Sequence, residues 1–151
     1  MIKISIQRED FDIGREIALL RSEHKSVGAI VSFTGLVRDS SHGEPLITMT
    51  LEHYPGMTER EIMRIAENAH QRWNLDGLTV VHRIGELHPS EQIVLVLAAS
   101  KHRNEAFEAA QFLMDYLKVR APFWKMEKRA TGEHWVDARS SDSDAAARWE
   151  R

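Results

Sequence analysis

Two lysines, Lys118 and Lys125, stand in the stretch MDYLKVRAPFWKMEKR (residues 114–129), where Lys118, Arg120, Lys125, Lys128 and Arg129 alternate with Tyr116, Pro122, Phe123 and Trp124. A solvated charged face is normally padded with small polar residues, whereas large apolar groups leave water and draw neighbouring charges part of the way with them. Such a stretch suits an anionic ligand. Like charge and partial desolvation also lower a lysine's pKa, which makes a neutral amine available as base or nucleophile.

Three further cations sit where a strand or helix hands over to a loop, the usual place for a site. Arg38 closes the run GAIVSFTGLV, and His102 and Arg103 separate IVLVLAAS from the next helical pattern. Each alone reads as a solvated surface charge, and Lys118 as a cation favourably placed at a helix C-terminus. Together they compose a phosphate pocket, in which arginine supplies a fork, lysines supply point charges and the amides of a helix start add their dipole. Each charge-assisted bond contributes roughly 1.5–3 kcal/mol.

Other chemistries lack their residues. The chain has no G-x-S-x-G elbow, no glycine-rich phosphate loop, no G-x-G-x-x-G and no H-E-x-x-H. Its eight histidines show no tight ligand spacing. His82 and His88 read as turn or surface residues beside a strand end, so neither a protein-bound metal nor a cofactor is expected. His53 and Tyr54, in LEHYPGM before a helix, read as a strand exit and turn with no chemistry. Phe123 and Trp124 read first as a cover for the sheet and the helix end.

Composition narrows the class. A chain of 151 residues suits one domain, here residues 1–139 followed by a polar tail, 140–151. No apolar run approaches the roughly 20 residues that span a bilayer. The N-terminal MIKISIQREDF alternates as a strand does and lacks a signal peptide's apolar core, so a cytoplasmic protein is expected, with no membrane partner. A net charge of −3 opposes nucleic-acid binding, which needs an extended basic surface. The chain has no cysteine, which excludes disulfides, thiolate ligands and a cysteine nucleophile.

Periodicity supplies the elements that must hold the cations. Ile2, Ile4 and Ile6 alternate as a strand, and Asp12–Arg21 repeats as a helix. Two strands, Gly28–Val37 and Leu46–Tyr54, flank the polar loop RDSSHGEP. Thr58 and Glu61 fit a capping box ahead of a helix with Ile62, Ile65, Ala66, Ala69 and Trp73 on one face. Leu78–Arg83 and Ile93–Ser100 are strands, the second apolar enough to be covered on both sides. A helix from Asn104 to about Arg120, with Phe107, Ala110, Leu113, Met114 and Leu117 as its apolar positions, ends before Pro122. Phe123–Arg129 and His134–Ala138 form a hairpin around Gly132, and the tail SSDSDAAARWER frays or orders against a partner. The expectation is an α+β fold with six or seven mostly antiparallel strands and three helices.

The stretches FTGLVRD, LEHYPGMTE, HRIGEL, HRNEAFEAAQFLMDYLK, RAPFWK and HWVDAR follow one another over most of residues 28–139, and in them the chain resembles the large, catalytic subunit of molybdopterin synthase. That resemblance implies an α/β hammerhead fold with an additional small antiparallel β subdomain. It implies a homodimer of large subunits with a small ubiquitin-like subunit at each end, a heterotetramer. The implied reaction is sulfur transfer from the small subunit's C-terminal thiocarboxylate to cyclic pyranopterin monophosphate, which becomes molybdopterin in molybdenum cofactor biosynthesis. A chain without a thiol suits sulfur delivered from outside. By motif position Lys118 and Lys125 are the expected catalytic lysines. Arg38, His102 and Arg103 are expected to bind phosphate and pterin, the last two from the same chain or from the neighbouring subunit. Phe33 and Met114 shape the pocket, and Met126 and Glu127 line it. Relatives can carry a basic residue where this chain has Leu36 or Met126, so backbone contacts alone are expected from these two, and Val37 is expected to contact the substrate between Leu36 and Arg38. The first 27 residues match weakly. A module that only docks a ubiquitin-like tail would keep an apolar groove and Arg120 without needing both lysines.

Overall fold

A computed structural model describes residues 1–136 and 140–150. Its first sheet has the order β1 (Ile2–Gln7), β5 (Gly77–Arg83), β7 (Gln92–Ser100), β2 (Ala29–Leu36). β1 runs parallel to β5, while β5–β7 and β7–β2 are antiparallel. β7 is central and apolar on both sides. Val94, Val96 and Ala98 pack with α2 (Met57–Trp73) and α3 (Arg103–Arg120). Leu95, Leu97 and Ala99 pack with Leu20, Ile13 and Ile17 of α1 (Ile13–Glu23). Two covers explain why β7 reads as a continuous apolar run instead of alternating.

The second sheet runs β3 (Ser40–Ser41), β4 (Glu44–His53), β8 (Phe123–Arg129), β9 (Gly132–Val136), with β6 (Gly85–Leu87) also on β4. Val37, Leu46, Met49, Leu51 and Leu87 form its core, and Ile93 packs against both this core and that of the α2/α3 layer. The fold is α+β, with antiparallel pairing throughout the second sheet.

Several details differ from the reading of the sequence. The polar loop after β2 contains the β3–β4 hairpin, turned by His42 (φ 51) and Gly43 (φ 79), since a two-residue hairpin whose twist matches its strands needs two left-handed residues. The box at the start of α2 lies earlier than expected. Gly56 is the N-cap and Glu59 accepts from its N–H, which frees Thr58 for a tertiary contact. Phe107 is 60% exposed on the outer face of α3, because Ala106, Ala109 and Ala110 take the close approach to the sheet. β9 begins at Gly132, ahead of the expected His134; Ala138 and the end of HWVDAR lie outside the described residues.

The tail departs most. Residues Ser140–Ala147 form a fourth helix, α4, followed by a 3₁₀ turn at Arg148–Glu150, both folded back on the chain itself. Trp149 lies edge-on to Phe112 and Trp73 at 5.6 Å, and its Nε1–H donates to buried Asp115 at 2.7 Å. Arg148 pairs with the same carboxylate at 2.9 Å. Low apolar content predicted fraying, but one tryptophan finding a carboxylate and two rings offsets much of the ordering cost. Trp149→Ala should cost about 2 kcal/mol, below the roughly 3–5 of a fully buried aromatic, and lower Tm by about 4–8 °C in a thermal melt; an unchanged Tm would mean the tail adds nothing to the fold.

Candidate active site

Lys118 reaches the site from the last turn of α3, where Ala121 leaves the helix with extended angles, φ −73 and ψ 125. Pro122 forces this, since its ring crowds the helical conformation of the preceding residue. The chain reverses into β8, of which Lys125 is the third residue. Thr58 ties the reversal to α2: its Oγ1 donates to the Pro122 carbonyl at 3.2 Å and accepts from Tyr54 N–H at 3.0 Å.

The turn brings the two lysines together. Burial pushes the Lys125 ammonium down from 10.5 to about 8, helped by the charge of Lys118 and a hydrogen bond with it; Asp142 and Glu127 oppose the shift. A sizeable neutral fraction therefore exists near neutral pH, beside the exposed ammonium of Lys118. Since the unfolded chain holds the extra proton between about 8 and 10.5, this burial costs stability fully below about pH 8, and the cost fades as pH rises to 10.5.

Strand alternation sorts the other cations. Phe123, Lys125, Glu127 and Arg129 share one face of β8, opposite His53, Leu51, Met49 and Leu46 of β4. Arg129 is consumed by Glu127 at 2.9 Å and Glu44 at 3.5 Å. Arg120 pairs with Glu150 at 2.7 Å and lies 4.6 Å over the Tyr116 ring. Lys128 is exposed and points to the opposite face from Lys125. Of the five cations in the stretch, the fold gathers two.

Histidine chemistry was missed by the sequence reading. His82 lies within β5, not in a turn, and stacks on Phe123 with centroids 3.8 Å apart at 16°. Burial first, then the charges of Lys125, Lys118 and His53, push it down to about 4, against a hydrogen bond to the Arg83 carbonyl. It is a neutral imidazole. His53, opposite Phe123, faces Glu59 at 3.5 Å. The signal available in the sequence was position: His82 continues the row Leu78, Val80 that faces the α2/α3 core. His88 is exposed, as read.

The remaining expected residues divide. Phe33 (41% exposed) and Leu36 lie exposed on β2, and Arg38 follows in the loop without an ion pair among the described residues. Val37 is buried, its N–H bonded to Glu91 O at 2.9 Å and its carbonyl to Ser90 N–H at 2.8 Å, so its amide is spent on the fold. Met114 is partly buried against the α2/α3 core. Met126 points to the opposite face from Lys125, between Thr50 and Trp135. Glu127 is buried and holds Ser41 Oγ at 2.6 Å, which engages its carboxylate inside the sheet. Phe123 covers the core as expected, whereas Trp124 is exposed on Tyr54 at 4.8 Å.

His102 and Arg103 start α3 and line, with Asn104 and Glu105, an open hollow of about 340 Å³. Lys118 is fifteen residues further along the same helix, about 22 Å at 1.5 Å per residue. Within one chain these two groups do not meet. A wider hollow, about 540 Å³ between β1, α1 and α2, contains none of the expected residues. Among the described residues no cluster of three His, Asp or Glu is placed to hold a metal, and no helix is long and apolar enough to cross a membrane.

The family model described as MoaE protein matches residues 6–120. A molybdopterin synthase catalytic subunit from Mesorhizobium japonicum is 57% identical over 148 residues, covering 97% of this chain and 92% of the relative. The solved MoaE protein of Burkholderia ambifaria superposes with a TM-score of 0.87 at 48% identity, covering 100% of this chain and 99% of that one. A chain from the complex of subunits 1 and 2 of the molybdopterin-converting factor of Helicobacter pylori shares the fold, with a TM-score of 0.70 at 21% identity over 92% of both chains.

Removing Lys118 deletes both its charge and its hydrogen bond. Lys118→Met should therefore raise the Lys125 pKa from about 8 toward 10.5, short of it because burial remains. The pH dependence of Lys125 acetylation, read by mass spectrometry, measures this directly, and a titration that stays in place would disprove the coupling.

Proposed function

Because the chain belongs to the MoaE family, the catalytic subunits of molybdopterin synthase, we propose that it installs the two dithiolene sulfurs of molybdopterin on cyclic pyranopterin monophosphate, with Lys118 and Lys125 as its catalytic residues. The carrying observation is the lysine pair at the α3–β8 reversal, one amine held near pH 8 beside a second cation. The sulfur comes from outside, since the chain has no cysteine to carry a persulfide. Its donor is the C-terminal thiocarboxylate of a small ubiquitin-like subunit, the counterpart of the other chain in the Helicobacter pylori complex.

The chemistry follows from the charges. Lys118, exposed and cationic at the helix end, pairs with the thiocarboxylate and with negative charge that develops as sulfur attacks carbon. Lys125 can give up or take a proton near neutral pH, as acid/base steps at the reacting pterin carbons require. Arg38 holds the substrate phosphate with forked hydrogen bonds, and Phe33, Leu36 and Met114 shape the apolar walls. His102 and Arg103 serve the lysine site of the neighbouring copy, because about 22 Å of helix separates them from their own. The working unit is then a homodimer with a small subunit at each end, acting in the cytoplasm on a substrate and donor that are both soluble. Residues 1–139 carry the reaction, with 140–151 appended.

Lys118→Ala should leave the fold intact and lower product formation by about a hundredfold to a thousandfold, read by mass spectrometry of dithiolene product and of sulfur lost from the thiocarboxylated partner. Activity within a few fold of wild type would remove Lys118 from the mechanism, and tight association without sulfur transfer would favour a docking module. Arg38→Ala should raise KM for the precursor more than it lowers kcat; an unchanged KM would refute its phosphate role. His102→Ala and Lys118→Ala, each inactive alone, should regain about a quarter of wild-type activity when co-refolded, since half of the dimers are mixed and each mixed dimer has one intact site. No recovery would mean that each site draws both residues from the same chain, and would refute the shared site.

A further inference from the structure

His82 is an unexpected group to find in a row of core residues, and its surroundings define its chemistry. The ring lies face to face with Phe123 at 3.8 Å and 16°. Its Nδ1 is 2.8 Å from the Arg83 carbonyl, and a carbonyl only accepts, so Nδ1 carries the proton and Nε2 keeps a lone pair. Ile6 and Val94 flank it within the sheet. The ionisable groups around it are Lys125 from β8, Lys118 from α3 and His53 from β4. A phenylalanine would serve the stack equally well. The imidazole adds a neutral acceptor close to the charges of Lys125 and Lys118.

We infer that His82 is a positioning residue for the lysine pair: stacked on Phe123 and fixed in one tautomer by the Arg83 carbonyl, it sets where β8 delivers Lys125 and presents Nε2 as an acceptor for a lysine ammonium. The inference rests on the lysine site proposed above. Held near pH 4 by burial and by its cationic neighbours, the ring stays uncharged at neutral pH, so it adds no third positive charge. An acceptor stabilises the protonated amine, whereas burial and Lys118 oppose it. His82 is thus a counterweight that keeps part of the Lys125 population protonated within the same pH range in which the amine can also lose its proton.

Three variants separate this role from packing. His82→Phe keeps the stack and loses both nitrogens; His82→Gln places an amide oxygen near the position of Nε2; His82→Asn places an amide N–H near Nδ1 only. With folding checked by thermal melting, His82→Phe should lower the Lys125 titration by about half a pH unit or more, read by pH-dependent acetylation without any need for turnover. It should also lower kcat about tenfold with KM for the precursor little changed. His82→Gln should recover both readouts in part, and His82→Asn should not. Unchanged Lys125 titration and kcat in His82→Phe, or recovery by Asn equal to that by Gln, would overturn the inference. Should His82→Phe fail to fold, the Gln and Asn pair decides alone. A Lys125→Ala variant run alongside isolates the premise: full activity there would refute the lysine site itself, whereas an inactive Lys125→Ala with silent His82 variants would refute only the role of His82.

Discussion

The chain reversal at Pro122 is the constraint on which the site depends. Proline's ring makes the helical conformation costly for Ala121, so α3 stops after Arg120 and the chain must turn. The turn is short because it is tied: the Pro122 carbonyl takes the hydroxyl of Thr58, buried at the start of α2. A helix of different length, or a free loop, would separate the two lysines by many ångströms and lose the coupling that depresses one of them. Functional groups borne on a helix end and the early part of a strand also inherit the rigidity of both elements.

Charge in this region is managed by geometry more than by number. Five cations lie close together in sequence, yet the sheet's two-residue period and three carboxylates leave Lys118 and Lys125 as the pair at the reversal. Glu127 and Glu44 hold Arg129, Glu150 holds Arg120, and Lys128 faces away. Neutralising the neighbours matters because an uncompensated cluster of buried cations would cost more desolvation than the fold could offset. What remains is one partly buried amine with a like charge beside it and a neutral imidazole behind it, an arrangement suited to an incoming anion.

The length of α3 connects the fold to assembly. The same helix that presents Lys118 at its C-terminal end carries His102 and Arg103 at its N-terminal end. A single copy therefore holds these two groups of cations about 22 Å apart. Under the function proposed above, a second copy brings the two groups together.

Much of this protein was legible in its sequence because short-range rules decide much of it. Proline stops a helix wherever it falls, a doubly covered strand such as Gln92–Ser100 must be apolar throughout, and absent cysteines exclude thiol chemistry. The candidate lysines and the family were accordingly readable from Lys118, Lys125 and the motifs around them. Tertiary structure alone decided what depends on which face or which distant residue a side chain meets. It turned His82 inward onto Phe123, engaged Glu127 and Val37 in the fold, exposed Phe107, and folded the polar tail onto Asp115 through Trp149. These outcomes turn on contacts between residues far apart in the chain, and the balance between burial and hydrogen bonding there has no local signature.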